Sequence, residues 1–294
     1  MTSLTTVLCP VDGSDLSDRA LAFAADLCRS TGAALVVLTV RPYVATPALW
    51  LAAPAATAFD SPDARARALE TLRESVTRVI DPSLVTFVVT EGDTVREIVR
   101  VATEQQADAI VVATHGLSGF DRLVLGSVTE KLLRKTPCPL WVVPPSATRG
   151  RSLGEAPVVV CGLDRSESSR GAIAHAAELA QQPGGTLVLV HAFEDFSNED
   201  QRFAHHFNSD ACWRAAEPEI RAAYEEMLPE ELRSAGGYEL VTMRGRPYRV
   251  LIDVARARRA TAMVVGAAGW NPPLGSTAVH VVRQAECPVL VIPA

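Results

Sequence analysis

The sequence lacks the charge and the segments that mark nucleic-acid-binding, secreted or membrane proteins. Lysine occurs only at Lys131 and Lys135, and the formal net charge is -6. General binding to nucleic acid needs basic surface that displaces counterions from phosphates, so we expect no nucleic-acid partner. The first residues show no basic segment followed by an apolar run, which predicts no signal peptide. The apolar stretch 43–59 is short and contains Pro47 and Pro54, so we interpret it as a surface insertion and expect no membrane partner.

The six cysteines form no CxxC pair. Four of them lie in or beside apolar runs: Cys9, Cys138, Cys161 and Cys287. This placement predicts buried free thiols in a reducing, cytoplasmic environment. The adjacent His205 and His206 lie in a polar stretch, which favours a surface loop over a metal site, and no metal ligand is predicted elsewhere.

The chain is rich in core-forming residues and repeats itself. Hydrophobic residues make up 48% of the 294 positions and charged residues 21%. Such a chain buries normal cores, and its length suggests two domains. Residues 7–14, VLCPVDGS, match residues 159–166, VVCGLDRS, at an offset of 152. The segment 144–157 is rich in Pro, Ser, Gly and Arg and is typical of a linker. We therefore predict domains at 1–146 and 155–294.

Each half alternates apolar runs with helical patterns. In the first half the runs are 7–11, 35–40, 85–89, 110–113 and 140–143. They are continuous rather than alternating, as expected for strands covered on both faces. Between two of them, Leu69, Leu72, Val76 and Val79 have helical spacing. The alternation predicts a Rossmann-like α/β fold in each half, a doubly wound five-stranded parallel sheet with helices on both faces.

A carboxylate follows the first strand of each predicted sheet. Ligands of such sheets bind beyond the carboxyl ends of the strands, where the strand order reverses. Asp12 stands at such an end and could accept both hydroxyls of a ribose. The alternative is a helix cap formed by Asp12, Ser14 or Asp15, which the same position favours.

A loop with two glycines follows the fourth strand and leads into a helix at 128–135. Helix N-termini offer free N–H groups and the positive end of the helix dipole, which suit phosphate. Gly116 and Gly126 would let the backbone approach an anion closely. Ser127 could add a hydroxyl or cap the helix. The alternative is a glycine turn before a capped helix, without a ligand.

This segment resembles the nucleotide motif of the universal stress protein family, G-x2-G-x9-G-[S/T]. It stands here as Ala113-x2-Gly116-x9-Gly126-Ser127, and the resemblance covers both halves almost completely. It implies adenine near Val40, ribose at Asp12 and phosphates along the loop and the following amides. In the first half the implied binding residues are Val40, Asp12, Ala113, Gly116, Gly126, Ser127, Val128 and Thr129. In the second half, as a weaker site, they are Asp164, Gly266, Gly269, Gly275 and Ser276.

Both copies depart from the motif. In the first, Ala113 replaces a glycine and adds a methyl where ribose would lie, and Asp121 weakens the field that would hold a triphosphate. In the second, Gly266 leaves room beside Asp164, but only five residues separate Gly269 from Gly275. That loop includes two prolines, which lack N–H donors. We expect ATP in the first half and at most AMP or adenosine in the second.

The resemblance implies a regulatory module of the stress response. It would bind ATP, with or without Mg²⁺, or AMP or adenosine, and signal through unidentified protein partners. No catalytic residue is predicted: Asp12-Gly13-Ser14-Asp15 is not the Ser-Gly-Gly loop of ATP-cleaving relatives, and no acid partner for His115 is identifiable. Two alternatives remain, a slow ATPase and a nucleotide-independent interaction protein whose sites are degenerate.

The last apolar run of each half predicts how the halves associate. Exposed strand edges invite pairing, and the resemblance implies that 140–143 and 289–292 pair antiparallel in an intramolecular pseudo-dimer, with a homodimer of chains also open. We expect 1–146 and 155–294, produced separately and mixed, to elute as a 1:1 complex whose mass light scattering measures. Two species that remain monomeric after mixing would contradict this arrangement.

Overall fold

The computed structural model describes most of the chain. The described residues are 4–41, 62–115, 125–147, 153–164, 166–193, 210–228, 230–235, 237–267 and 275–293. The predicted insertion 43–59, the paired histidines and both motif loops with Gly116 and Gly269 lie outside them. The chain divides into two compact units, Met1–Pro145 and Ser146–Ala294. Among the helices within the described ranges, none has the length and apolar character that a membrane crossing requires.

The first unit is a five-stranded parallel sheet with helical crossovers. Its elements are β1 (Thr6–Pro10), α1 (Asp15–Thr31), β2 (Ala34–Arg41), α2 (Pro62–Thr77), a 3₁₀ turn (Pro82–Leu84), β3 (Val85–Glu91), α3 (Thr94–Glu104), β4 (Ala109–Ala113), α4 (Ser127–Lys135) and β5 (Leu140–Val143). The strand order is β3-β2-β1-β4-β5, with every pairing parallel. The order reverses between β1 and β4, which is where such sheets bind ligands.

The second unit repeats this topology. Its elements are β6 (Val158–Leu163), α5 (Glu167–Ala180), β7 (Thr186–Phe193), α6 (Asp210–Met227), α7 (Glu230–Ala235), β8 (Tyr238–Arg244), α8 (Pro247–Ala257), β9 (Ala262–Gly266), α9 (Ser276–Gln284) and β10 (Val289–Ile292). The order is β8-β7-β6-β9-β10, again parallel throughout. The predicted fold, two tandem doubly wound five-stranded parallel domains, is confirmed.

Continuous apolar runs place the central strands in the core of each unit. Val7, Leu8 and Cys9 of β1 are fully buried, and every residue of β4 is buried. In the outer strand β3, Val89 is the buried residue. Strands covered on both faces have no solvent side, which explains why the sequence shows apolar runs there and no alternation.

Local signals set the ends of the first helix. Ser14 caps the N-terminus of α1, since its Oγ accepts a hydrogen bond from the amide of Ser17. Gly32 ends the helix with φ 77°, a left-handed conformation that glycine adopts without strain. The helix packs its small residues, Ala20 and Ala24, against the sheet, and both are fully buried. These ends fix where the chain leaves β1 and where it enters β2.

The cysteine prediction holds for Cys9, Cys138 and Cys161, which are buried without disulfides, as is Cys28. Cys287 is only half-buried. Burial raises the pKa of the Cys28 and Cys138 thiols to about 11. It raises the pKa of the Cys9 and Cys161 thiols further still.

Thiol labelling tests this packing. Since the thiolate is the nucleophile and burial suppresses it, we expect Cys9, Cys28, Cys138 and Cys161 to resist Ellman's reagent at pH 8 in the native protein. Mass spectrometry of alkylated peptides identifies each site. The same protein in urea is the control and should label at all four positions. Rapid native labelling of Cys9 or Cys161 would contradict the described core.

Candidate functional site

The topology gathers the predicted nucleotide residues at one edge of the first sheet. Asp12 follows β1, Val40 lies near the end of β2 and Ala113 ends β4. The first residues of α4 follow the loop from β4. Because the carboxyl ends of parallel strands lie at one edge, these residues share the switch-point side of the domain. The structure thus places the described predicted residues of the first half around one region.

Asp12 is held by the turn that starts α1. Its Oδ1 accepts hydrogen bonds from the amide and the hydroxyl of Ser14, at 3.0 and 2.6 Å. Of the three residues considered as caps, Ser14 is the one that caps the helix. Gly13 supports the turn with φ 80°. The Asp12 side chain is therefore exposed but already oriented, a state in which ligand binding orders little additional structure.

A single backbone hydrogen bond closes the loop between β4 and α4. The amide of Gly126 donates to the carbonyl of Thr114 at 2.8 Å. Gly126 is the N-cap of α4, and the structure records no side-chain cap there. Ser127 is the first helical residue, so the expectation that its hydroxyl caps the helix is wrong. Within the described residues the first amides of α4 have no recorded acceptor, which suits them to bind an anionic ligand.

Two further side chains fix the ends of this loop. Thr129 is buried, and its Oγ1 donates to the carbonyl of Ala113 at 2.8 Å, which ties the first turn of α4 to the end of β4. His115 Nδ1 lies 3.1 Å from Thr114 Oγ1. Its Nε2 is buried, with no hydrogen-bond partner in the described part of the chain. Burial lowers the pKa of His115, so the ring is mainly neutral near pH 7.

The second half has the same frame. Asp164 Oδ1 accepts from the Ser166 amide at 3.0 Å, the Ser169 hydroxyl at 2.6 Å and the Ser166 hydroxyl. The amide of Gly275 donates to the carbonyl of Ala267 at 2.7 Å. Gly275 is the N-cap of α9, again without a recorded side-chain cap. Both motif loops therefore leave and rejoin the fold in the same way, although one is four residues shorter.

The space beside Gly266 is occupied. A Cβ at this position would lie 2.4 Å from Ser168 Oγ and 2.9 Å from Ser168 Cβ. Ser168 is buried in the first turn of α5. The expectation that Gly266 leaves room for a ribose is therefore wrong in the described structure. Because Gly266 has no side chain, Ser168 can pack into this space. Ser168 comes shortly after Asp164 in the sequence, but the sequence pattern does not indicate this contact.

A histidine–tyrosine pair in the second half was also missed. His191 Nδ1 donates to the carbonyl of Leu163 at 3.1 Å, as Thr39 Oγ1 donates to Val11 at 3.2 Å in the first half. The Tyr224 hydroxyl lies 2.9 Å from the same ring nitrogen, and the rings are 4.6 Å apart. The 152-residue offset aligns His191 with Thr39, but Tyr224 comes from α6, where the copies are least similar.

Two features of the described residues restrict the chemistry of the site, the lowered pKa of His191 and the lack of a cluster of metal ligands. Burial, the largest influence, lowers the pKa of His191 and favours the neutral ring. No group of three or more histidine, cysteine or acidic side chains within the described ranges could hold a metal ion. The backbone amides at the glycine-capped starts of α4 and α9 suit an anionic ligand, whereas the carboxylates of Asp12 and Asp164 suit hydroxyl donors.

Comparison with known proteins identifies the family of both halves. The universal stress protein family model matches residues 4–144 and 157–293. Universal stress protein MJ0531 of Methanocaldococcus jannaschii is 30% identical over 142 residues, which cover 47% of this chain and 80% of that protein. A universal stress protein of Mycolicibacterium smegmatis is 26% identical over 301 residues, covering 97% and 96%.

The fold has solved counterparts. The crystal structure of a universal stress protein from Archaeoglobus fulgidus has a TM-score of 0.70 at 21% identity, covering 100% of this chain and 99% of that one. The two matched ranges of the family model take up most of the sequence. The chain therefore belongs to the universal stress protein family and carries two of its domains in tandem.

The contact at Gly266 gives a stability test. Gly266→Ala would push a methyl into Ser168, and overpacking of this kind costs about 1–3 kcal/mol. We expect the urea midpoint of the second domain to fall. Adding Ser168→Gly removes the two closest atoms and should recover part of the loss. A Gly266→Ala variant as stable as the parent protein would show that Ser168 does not fill this space.

Proposed function

We propose that this protein binds adenine nucleotide, holds ATP in its first domain, and acts as a regulatory module through partner proteins in the cytoplasm. The observation that carries the proposal is the glycine-capped start of α4 at the sheet's switch point. Asp12 stands at the end of β1, at the same edge. The amides at the start of α4 could bind phosphate, and the Asp12 carboxylate could accept hydrogen bonds from ribose hydroxyls. This is the arrangement that the family motif implies.

The phosphate side differs from other helix starts of the first domain. Ser14 caps α1 and Asp93 caps α3, each by accepting an amide hydrogen bond. At α4 the cap is Gly126, which has no side chain to accept one. Phosphate oxygens would take that place, since free amides and the helix dipole favour anions. Mg²⁺ would enter with the phosphates, which supply several of its oxygen ligands.

The ribose and base sides follow from the neighbouring strands. Asp12 is exposed and oriented by Ser14, so its carboxylate can accept from ribose hydroxyls. Val40, half-buried near the end of β2, offers an apolar contact and backbone groups to adenine. Pockets with an apolar wall and a few fixed polar groups are typical of small-molecule sites.

We favour a binding module over an enzyme. His115, a titratable residue inside the motif, is mainly neutral near pH 7, and within the described residues its ring contacts Thr114 and no carboxylate. A general base needs both a suitable pKa and a partner that orients it, so turnover faster than slow ATP hydrolysis is not expected. The alternative, a nucleotide-independent interaction protein, is tested by chromatography of the nucleotide released when freshly purified protein is heat-denatured.

Substitution of the two aspartates tests the assignment. Asp12→Asn keeps an oxygen to accept from Ser14 but removes the charge that holds ribose. We expect ATP affinity to fall at least about tenfold, because hydrogen bonds to charged groups contribute about 1.5–3 kcal/mol. Isothermal titration calorimetry measures it, and circular dichroism verifies the fold.

The matched control lies in the second domain. Asp164→Asn should leave the ATP stoichiometry at one per chain, because the shorter loop of that domain holds a triphosphate poorly. Unchanged affinity in Asp12→Asn would remove the ribose assignment. Two equal ATP sites in the parent protein would refute the difference between the domains.

A further inference from the structure

The turn before α3 in the first domain and the turn before α8 in the second have the same backbone conformation. In the first, the Gly92 amide donates to the carbonyl of Arg41 at 3.0 Å, and the Gly92 φ is 148°. In the second, the Gly245 amide donates to the carbonyl of Phe193 at 2.9 Å, and the Gly245 φ is 141°. The residues around these two glycines therefore correspond one to one.

Their charges are opposite. Around Gly92 the chain carries Glu91, Asp93 and Glu97, and at the matching positions around Gly245 it carries Arg244, Arg246 and Val250. Arg96 and Arg249 are the basic residues that both copies share. An acidic turn in one domain has thus become a basic turn in the other, on the same backbone.

In the first domain the acidic turn is compensated. Asp93 caps α3, with its Oδ1 accepting from the Arg96 amide at 2.9 Å. That hydrogen bond, then the charges of Arg96, Lys131 and Lys135, hold the pKa of Asp93 below its usual value. The two lysines lie on α4, so the charges of α3 and α4 balance each other.

In the second domain Arg246 and Arg249 both lie against Tyr248. Arg249 Nε donates to the Tyr248 hydroxyl at 3.1 Å, and Arg246 donates to the same hydroxyl. These two guanidinium groups lower the pKa of Tyr248. Both arginines are exposed, and neither forms a recorded ion pair within the described residues. Arg246 cannot accept a hydrogen bond, and no side-chain cap is recorded for α8.

The cluster borders the start of α9. The Tyr248 ring stacks on His280, with centroids 4.6 Å apart and planes at 24°. His280 Nδ1 donates to the carbonyl of Ser276, the first residue of α9, at 2.6 Å. The loop 268–274 that precedes α9 has the sequence AGWNPPL and contributes no lysine or arginine. Among the described residues, the basic groups at the start of α8 therefore supply positive charge beside this helix start.

We propose that Arg246, Tyr248, Arg249 and His280 form a phosphate-binding site on the second domain. Two guanidinium groups that share one hydroxyl are held side by side, and guanidinium groups bind phosphate oxygens in pairs. The phosphate belongs either to a nucleotide in this domain or to a free phosphorylated metabolite. The site does not depend on ATP binding in the first domain.

Pyrophosphate titration of the full chain tests the site. Calorimetry at low ionic strength, where screening of exposed charges is weak, should show saturable binding. In Arg246→Gln/Arg249→Gln the affinity of one binding component should fall at least about tenfold. Arg233→Gln, an exposed arginine of α7, is the matched control and should bind as the parent protein does. Equal pyrophosphate binding by the double variant and the parent protein would overturn the proposal.

A second variant separates binding from folding. Arg246→Asp restores the residue found in the first domain, so it should cap α8 and leave the melting temperature equal or higher, while pyrophosphate binding by this component is lost. Retained binding would overturn the proposal.

The source of the phosphate is tested in the Asp12→Asn variant. If ADP binds this variant more tightly than pyrophosphate does, the ligand is a nucleotide; if the two affinities are equal, it is a free phosphate. If Asp12→Asn leaves ATP binding intact, only the first-domain proposal fails.

Discussion

One backbone hydrogen bond in each domain determines where the last helix begins, α4 in the first and α9 in the second. Gly126 to Thr114, and Gly275 to Ala267, close the motif loops and direct the first helical amides to the carboxyl edge of the sheet. With no side chain at the cap, the helix start keeps its positive end exposed. The backbone hydrogen bond closes the loop and the glycine leaves an open anion position, and the nucleotide proposal depends on both.

The two domains share this frame but differ in the residues placed on it. In the second, Asp164 accepts three hydrogen bonds at one oxygen, and Ser168 fills the space next to Gly266. His191 and Tyr224 replace a threonine contact near the end of β7. The turn before α8 has reversed its charge. These differences all lie at the carboxyl edge, so duplication preserved the sheet while the ligand side diverged.

The sequence predicts the fold well because its signals are local and repeated. Apolar runs locate the strands, and a carboxylate after β1 locates the switch point. The errors have a physical cause. Whether Ser127 or Gly126 caps α4 depends on backbone angles, and the filling of space at Gly266 depends on how α5 packs on β9. Tyr224 contacts His191 although 33 residues separate them in the sequence. The charge reversal at Arg246 is seen only when its turn is aligned with the turn that contains Asp93. Contacts of this kind leave no periodic trace in a sequence.

The contact between Gly266 and Ser168 also bears on the history of the duplication. The first domain has Ala113 and Leu16 at the corresponding positions. A Cβ at 266 would lie 2.4 and 2.9 Å from atoms of Ser168, so the effect of alanine at 266 depends on the residue at 168. Mutations that interact in this way are epistatic. Gene conversion that carried only the alanine of the first copy into position 266 would therefore destabilise the second domain unless residue 168 changed with it.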